Sequence, residues 1–205
     1  NQHMYTWGQQ AGGAFAGDEL IRSGYQDPRQ GIETCGIIEF ANSFNMLGTI
    51  SGDPAYADRC EEIIFNHFPA SMTPDLKGVR YVNSSNQPIL NGTFNHHYRN
   101  DMSRTRKNKL DAVPFVVYTP WGHRCCQHNS AMGWPYFAEN LFHKAADGGI
   151  AAWLYSSAVI RAEIYGKKIT ITEETSYPFV GEVTFVVDCE HAVEFPFYIR
   201  IPGWC

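Results

Sequence analysis

A chain of 205 residues with 44% hydrophobic side chains carries enough apolar surface for one large domain or one and a half. Its net charge of −5 and its few basic residues speak against nucleic acid; the dense basic stretch Arg99–Lys109 reads as a solvated loop. No apolar run reaches the length of a membrane span, and the first residues do not read as a signal peptide.

Along the chain, Ile37, Ala41, Phe44 and Leu47 recur at helical spacing, which predicts a helix from Gly31 to about Ser51. Gly52-Asp53-Pro54 breaks it. Asp53 then caps a second helix with Pro54 at its first position. That helix carries Tyr56, Ala57, Cys60, Ile63, Ile64 and Phe68, ends before Pro69, and forms an antiparallel hairpin with the first. Residues 70–120 read mostly as loop, with a short strand near Val79–Val82. A third helix is expected from about Ser130 to Lys144, through Trp134, Phe137, Leu141 and Phe142. After Gly148-Gly149 the pattern changes to alternating or β-branched segments: Ile150–Tyr155, Ala158–Tyr165, Lys168–Thr172, Glu182–Val187 and Phe195–Ile201. Gly166-Lys167 reads as a hairpin turn and Tyr177-Pro178 as a loop. Strands at this spacing suggest a sandwich-like sheet. A helical part thus precedes a β part, with the boundary near residue 148. The sheet reads as incomplete and the chain as part of something longer.

The chemistry concentrates in cysteine. Of the six, Cys60 falls on a helical pattern and Cys189 on a strand pattern, and both read as buried thiols; Cys205 is the last residue. Cys125 and Cys126 are adjacent, so regular structure would point their side chains apart. Glu33 and Cys35, two apart, would diverge by roughly 200° inside a helix. They can share a ligand only if a helix starts there and leaves Glu33 outside it. An irregular segment before a helix start near Ser130 would do the same for the cysteine pair. Glu33, Cys35, Cys125 and Cys126 then supply one carboxylate and three thiols, the number and type of donors a tetrahedral Zn²⁺ takes. The ion and Arg124 would offset the negative charge. The spacing lacks the paired C-x-x-C of a zinc ribbon. A vicinal disulfide, buried reduced thiols, or a pairing of Cys35 with one of the two are the rival readings. Upstream, Gly17-Asp18-Glu19 places two adjacent carboxylates after the flexible Gly12-Gly13; solvated or capping roles are the plain reading.

Glu33-Thr34-Cys35, the upstream Gly-Asp-Glu, and Arg124-Cys125-Cys126-x-x-Asn129 together resemble glycoside hydrolase family 127, the β-L-arabinofuranosidase-like proteins. Phe195–Trp204 (FPFYIRIPGW) resembles the start of that family's β-sandwich, where an L-R-I-P-x-W pattern is usual. The resemblance implies an (α/α)6 barrel followed by β-sandwich domains in chains several times longer. Residues 1–148 would be the later part of the barrel and 149–205 the start of the sandwich. It implies zinc held by Glu33, Cys35, Cys125 and Cys126, with Cys125 as nucleophile. The general acid/base glutamate falls on Glu19. Asp18 competes, because the loop between Pro28 and Glu33 is shorter than in the founding members. Tyr81, in Val79-Arg80-Tyr81-Val82-Asn83, matches a tyrosine that contacts the sugar. Where the family has prolines after the cysteine pair this chain has Gln127 and His128; His128 is read as a ligand contact or a hydrogen-bonding group at the helix start.

The resemblance therefore implies a retaining glycosidase acting on L-arabinofuranosides or related plant-type saccharides. Its partners would be a glycoside or oligosaccharide and the remainder of a longer catalytic chain, with no nucleic acid or membrane; a homo-oligomer stays open. Two alternatives belong to other classes: a non-catalytic, zinc-stabilised saccharide-binding module, and a redox protein using a Cys125–Cys126 disulfide. Cytoplasmic and periplasmic or secreted locations both fit, since zinc can protect thiols in an oxidising compartment.

Overall fold

The structure, a computed structural model, describes residues 12–15, 32–80, 82–83, 115–117 and 124–205. They fall into two compact units: one takes the chain up to Phe44 together with Arg59–Pro135, the other Asn45–Asp58 with Tyr136–Cys205.

The helical expectation holds with shifted boundaries. A short strand β1 (Ile32–Glu33) leads into helix α1 (Thr34–Ser51). Ile37, Ile38, Ala41 and Phe44, spaced one helical face apart, are buried. Asp53 caps helix α2 (Ala55–Glu62): its Oδ1 accepts from the Ala55 N–H at 3.0 Å. The run does not end before Pro69. It widens into a π-turn at Ile63–His67, where the Phe68 N–H donates five residues back to the Ile63 carbonyl, and closes in α3 (Phe68–Ala70). Pro69 has no N–H to continue the ladder, and in the first turn of a new helix none is needed. Ser71 ends it, its hydroxyl donating to the Phe68 carbonyl at 2.6 Å.

Strands β2 (Gly78–Arg80) and β3 (Val82–Asn83) occupy the expected strand region. β3 pairs antiparallel with β1, Ile32 opposite Asn83 and Glu33 opposite Val82, and β2 pairs with β4 (Phe115–Val117). Helix α4 spans Arg124–Glu139, starting and ending earlier than the periodicity predicts. Gly133 lets it approach closely: a Cβ there would lie 2.5 Å from the Phe68 ring and 2.9 Å from Ile38 Cδ1.

In the second unit, Phe142–Lys144 is not helix but strand β5, paired antiparallel with β6 (Ile150–Ala152). Pairing overrides the helical spacing of Leu141 and Phe142. β7 (Ala158–Ile164), β8 (Lys167–Thr175) and β9 (Val183–Cys189) form an antiparallel meander. The β7–β8 turn sits at Tyr165-Gly166, one residue earlier than expected, with φ of 49° and 74° as a two-residue type I′ hairpin requires. β10 (Phe197–Ile199) adds parallel to β6. Ile150, Ile164, Ile169 and Ile171 make one buried cluster, with Phe142, Phe185 and Phe197 packed on it. Arg200 is tied to Asp58 by an ion pair, and its Nε donates to the Trp153 carbonyl at 2.6 Å.

Candidate functional site

The chain changes from strand to helix between Glu33 and Thr34. This puts Glu33 outside the helix and Cys35 in its first turn, the arrangement that lets the two side chains converge. Thr34 anchors the change. It is fully buried, its hydroxyl donates to the Arg80 carbonyl, and it accepts from Asn83 Nδ2 at 3.0 Å. The cysteine pair is handled differently. No irregular segment intervenes; Cys125 and Cys126 are the second and third residues of α4. About 100° of rotation separates them, so Cys126 is buried while Cys125 is exposed.

Four donor atoms meet here. One ligand atom each from Glu33, Cys35, Cys125 and Cys126 all lie within 4.8 Å of one another. Cys35 Sγ stands 3.3 Å from Cys126 Sγ, and the Cys126 thiol points at Glu33 Oε1 from 4.0 Å. Sulfurs around a tetrahedral zinc stand about 3.8 Å apart, given Zn–S bonds near 2.3 Å, so the spacing suits an ion. A disulfide needs about 2.05 Å, and all six cysteines are free thiols. Behind the sulfurs the wall is apolar: Val79 is wholly buried against Cys126, with Met72 and Cys35 packed on the pair.

His128 lies exposed, three residues beyond Cys125 on α4, and is not one of the four donors. Glu19, its competitor Asp18, and Tyr81 lie outside the described residues, as does the side chain of Arg124.

Residues 1–139 match the family model for the catalytic domain of GH127 β-L-arabinofuranosidases, and residues 149–205 match the model for that family's middle domain. The chain belongs to glycoside hydrolase family 127. Among solved structures it is similar to Ara127N, a GH127 β-L-arabinofuranosidase from Geobacillus stearothermophilus T6, with a TM-score of 0.71 and 23% identity over 98% of this chain and 30% of that one. It is similar also to the GH127 β-arabinofuranosidase BT3674, with a TM-score of 0.66 and 20% identity over 98% of this chain and 28% of that one. A third structure, described as a glycoside hydrolase, gives a TM-score of 0.63 at 20% identity, over 96% of this chain and 34% of that one. These likenesses show a shared fold, and the chain spans about a third of the length of those proteins. No curated protein matches it.

In this family 127 chain the donors compete for charge. The Cys126 thiol, hydrogen-bonded to Cys35, holds the Cys35 thiol down at about 5, helped by Asn129, Glu33 and Cys125 and opposed by burial. The same bond to Cys35, together with burial, pushes Cys126 far above the ordinary thiol range. Burial first, and then the charge on Cys35, raises Cys125. A charge on one sulfur thus disfavours a charge on its neighbours, which keep their protons the more firmly. A divalent cation can take the place of those protons, so the donor set fits zinc. Each thiol also sits in a helix's first turn, Cys35 on α1 and the pair on α4, where unsatisfied N–H groups and the helix dipole favour sulfur's negative charge.

Thr34, Asn83 and the Val79–Met72 wall carried no functional signal in the sequence. Asn129 did carry one: it stands three and four residues beyond the two thiols, on their face of the helix.

Proposed function

We propose that this chain holds the catalytic thiol and the metal ligands of a retaining glycoside hydrolase acting on L-arabinofuranosides or related plant-type saccharides. The observation that carries the reading is the gathering of three sulfurs and one carboxylate within 4.8 Å, with Cys125 the exposed member of the pair. Residues 1–148 are then part of an (α/α)6 catalytic barrel and 149–205 the start of a β-sandwich. Glu33, Cys35, Cys125 and Cys126 are the zinc ligands, and a zinc ion held there supplies the positive charge that keeps thiols deprotonated near neutral pH.

Cys125 Sγ attacks the anomeric carbon while Glu19 gives its proton to the departing glycosidic oxygen and that C–O bond breaks. The Glu19 carboxylate then takes a proton from water. The water oxygen attacks the same carbon, the C–S bond breaks, and Cys125 leaves as thiolate. Two displacements on one carbon give net retention. Tyr81 and His128 are the proposed sugar contacts. Burial of Cys126 and partial burial of Cys35, against the exposure of Cys125, favour Cys125 as the attacking sulfur.

Metal analysis and turnover of an aryl L-arabinofuranoside by the intact protein test this reading. One zinc per chain, lost on Cys35→Ala, supports it. A metal-free protein with a Cys125–Cys126 disulfide overturns it in favour of redox chemistry. Glu19→Gln should remove turnover and leave zinc in place; full activity in that variant removes Glu19 from the mechanism.

A further inference from the structure

We propose that His67 is a positioning residue for the general acid: at the end of the π-turn, it holds Gly12–Phe15, the stretch of chain that leads into Glu19. The proposal rests on the glycosidase reading above, in which Glu19 gives the proton, and extends it to a residue 48 positions away (67 minus 19).

Gly12 and Gly13 have φ of 100° and 92°, the region that favours glycine. Neither leaves room for a side chain. A Cβ on Gly12 would stand 2.9 Å from Cγ of the His67 ring, and one on Gly13 2.7 Å from Cγ of Glu62. The chain is thus pressed against the end of α2 and the π-turn that follows it. The next residue is tied there: the Ala14 N–H donates to His67 Nδ1 at 3.0 Å, and both residues are buried. A buried N–H needs an acceptor, and the imidazole supplies it. Burial keeps the ring neutral, with its pKa at about 4, so Nδ1 keeps its lone pair at neutral pH. Beyond Ala14, the buried Phe15 ring meets Phe40 edge-on, centroids 4.9 Å apart. Phe40 lies on α1, the helix whose first turn presents Cys35. The stretch is therefore fastened to His67 on one side and to the helix of a proposed zinc ligand on the other. Glu19 follows Phe15 by four residues, at most about 14 Å of extended chain. Two glycine conformations and a desolvated imidazole cost stability that an apolar side chain would not, and such costs gather where function needs a segment held in one place.

The test uses the intact protein and two substrates that differ in their need for an acid. The phenolate of 2,4-dinitrophenyl β-L-arabinofuranoside departs without a proton; the methoxide of the methyl glycoside must be protonated as it leaves. For each, kcat/KM reports the reaction up to that departure. His67→Phe keeps a ring and removes the acceptor. Its kcat/KM should fall about 10²-fold on the methyl glycoside, as for an acid misplaced by about 1 Å, and less than about 3-fold on the dinitrophenyl glycoside. His67→Asn, whose Oδ1 takes the place of Nδ1, should recover most of the loss. Gly13→Ala shifts the same stretch with His67 intact and should show the same selective loss, which keeps the test decisive if His67→Phe fails to fold. Exchange of the Ala14 N–H with solvent should quicken in His67→Phe and stay slow in His67→Asn. Equal losses on the two glycosides, no loss on either, or unchanged Ala14 exchange in His67→Phe overturns the proposal. Glu19→Gln separates its failure from that of the reading beneath it. If Glu19→Gln treats the two glycosides alike, the acid has been misassigned. If Glu19→Gln distinguishes them and the His67→Phe and Gly13→Ala proteins do not, the positioning role alone is refuted.

Discussion

The β7–β8–β9 meander and the sulfur site differ in how far apart in the chain their parts lie. The meander is built from neighbours: β7 pairs with β8 across a two-residue turn, and the central strand β8 buries alternate residues, Ile169, Ile171 and Glu173. Even its buried Glu173 accepts from the nearby Ser156 amide, at 3.1 Å. At the site, Thr34 bonds to Asn83, 49 residues on, and Cys35 meets Cys126, 91 residues on. Apolar burial is tolerant of detail. Buried polar contacts are not, because a lost partner leaves a desolvated group behind. Chemistry thus resides in the region whose order depends on particular pairs, and the meander's order depends on pattern.

The sharpest break should come from Cys125→Ala in the intact protein. Turnover of an aryl L-arabinofuranoside should fall by at least about 10³-fold, as when a nucleophile is removed, while the melting temperature of the metal-free protein moves little, because Cys125 is exposed. A retained rate would move the nucleophile elsewhere. The next effect is a pH dependence confined to the first unit. His67, buried at the end of the π-turn, accepts from the Ala14 N–H through Nδ1 at 3.0 Å, and burial holds its pKa at about 4. An unfolded histidine titrates near 6.5. The neutral ring therefore contributes stability that is complete above about pH 6.5 and lost as pH falls through 4, about 3 kcal/mol in all. Urea unfolding at pH 7 and pH 4.5 should show a smaller drop for His67→Gln than for the parent; equal drops would refute the assignment.

What was legible in the sequence follows the same division. Helices α1 and α2 were readable because apolar spacing and Asp53-Pro54 encode them locally, and the meander because alternation does. Phe142–Lys144 was misread as helix because Leu141 and Phe142 prolong the period of Phe137, while pairing with Ile150–Ala152 leaves no local trace. The start of α4 was misread for the opposite reason. Cys125-Cys126-Gln127-His128-Asn129 has little apolar periodicity, and its helix buries Cys126 against Val79, a partner 47 residues upstream (126 minus 79). The four donors were legible as types and through the family resemblance. Thr34 and Asn83 were not, because a buried hydrogen bond between distant residues has no period to read.

Two conservative changes of nearly equal volume put that division to a quantitative test. Thr34→Val keeps the side chain's shape and removes its oxygen. Asn83 Nδ2 then loses its acceptor at a buried position, and the Arg80 carbonyl loses a donor at a half-buried one. Stability should drop by about 1–3 kcal/mol, and zinc affinity should drop with it, because Thr34 sits between Glu33 and Cys35. Ile171→Val removes one methylene from the meander's cluster, where Ile171 is fully buried, and should cost about 0.5–1.5 kcal/mol with zinc affinity unchanged. Denaturant midpoints give the first comparison and competition with a chromophoric chelator the second. Thr34→Ser, which keeps the hydroxyl and drops the methyl, should recover the affinity. If Thr34→Val binds zinc as tightly as Ile171→Val does, the long-range hydrogen bonds at the site serve the fold alone.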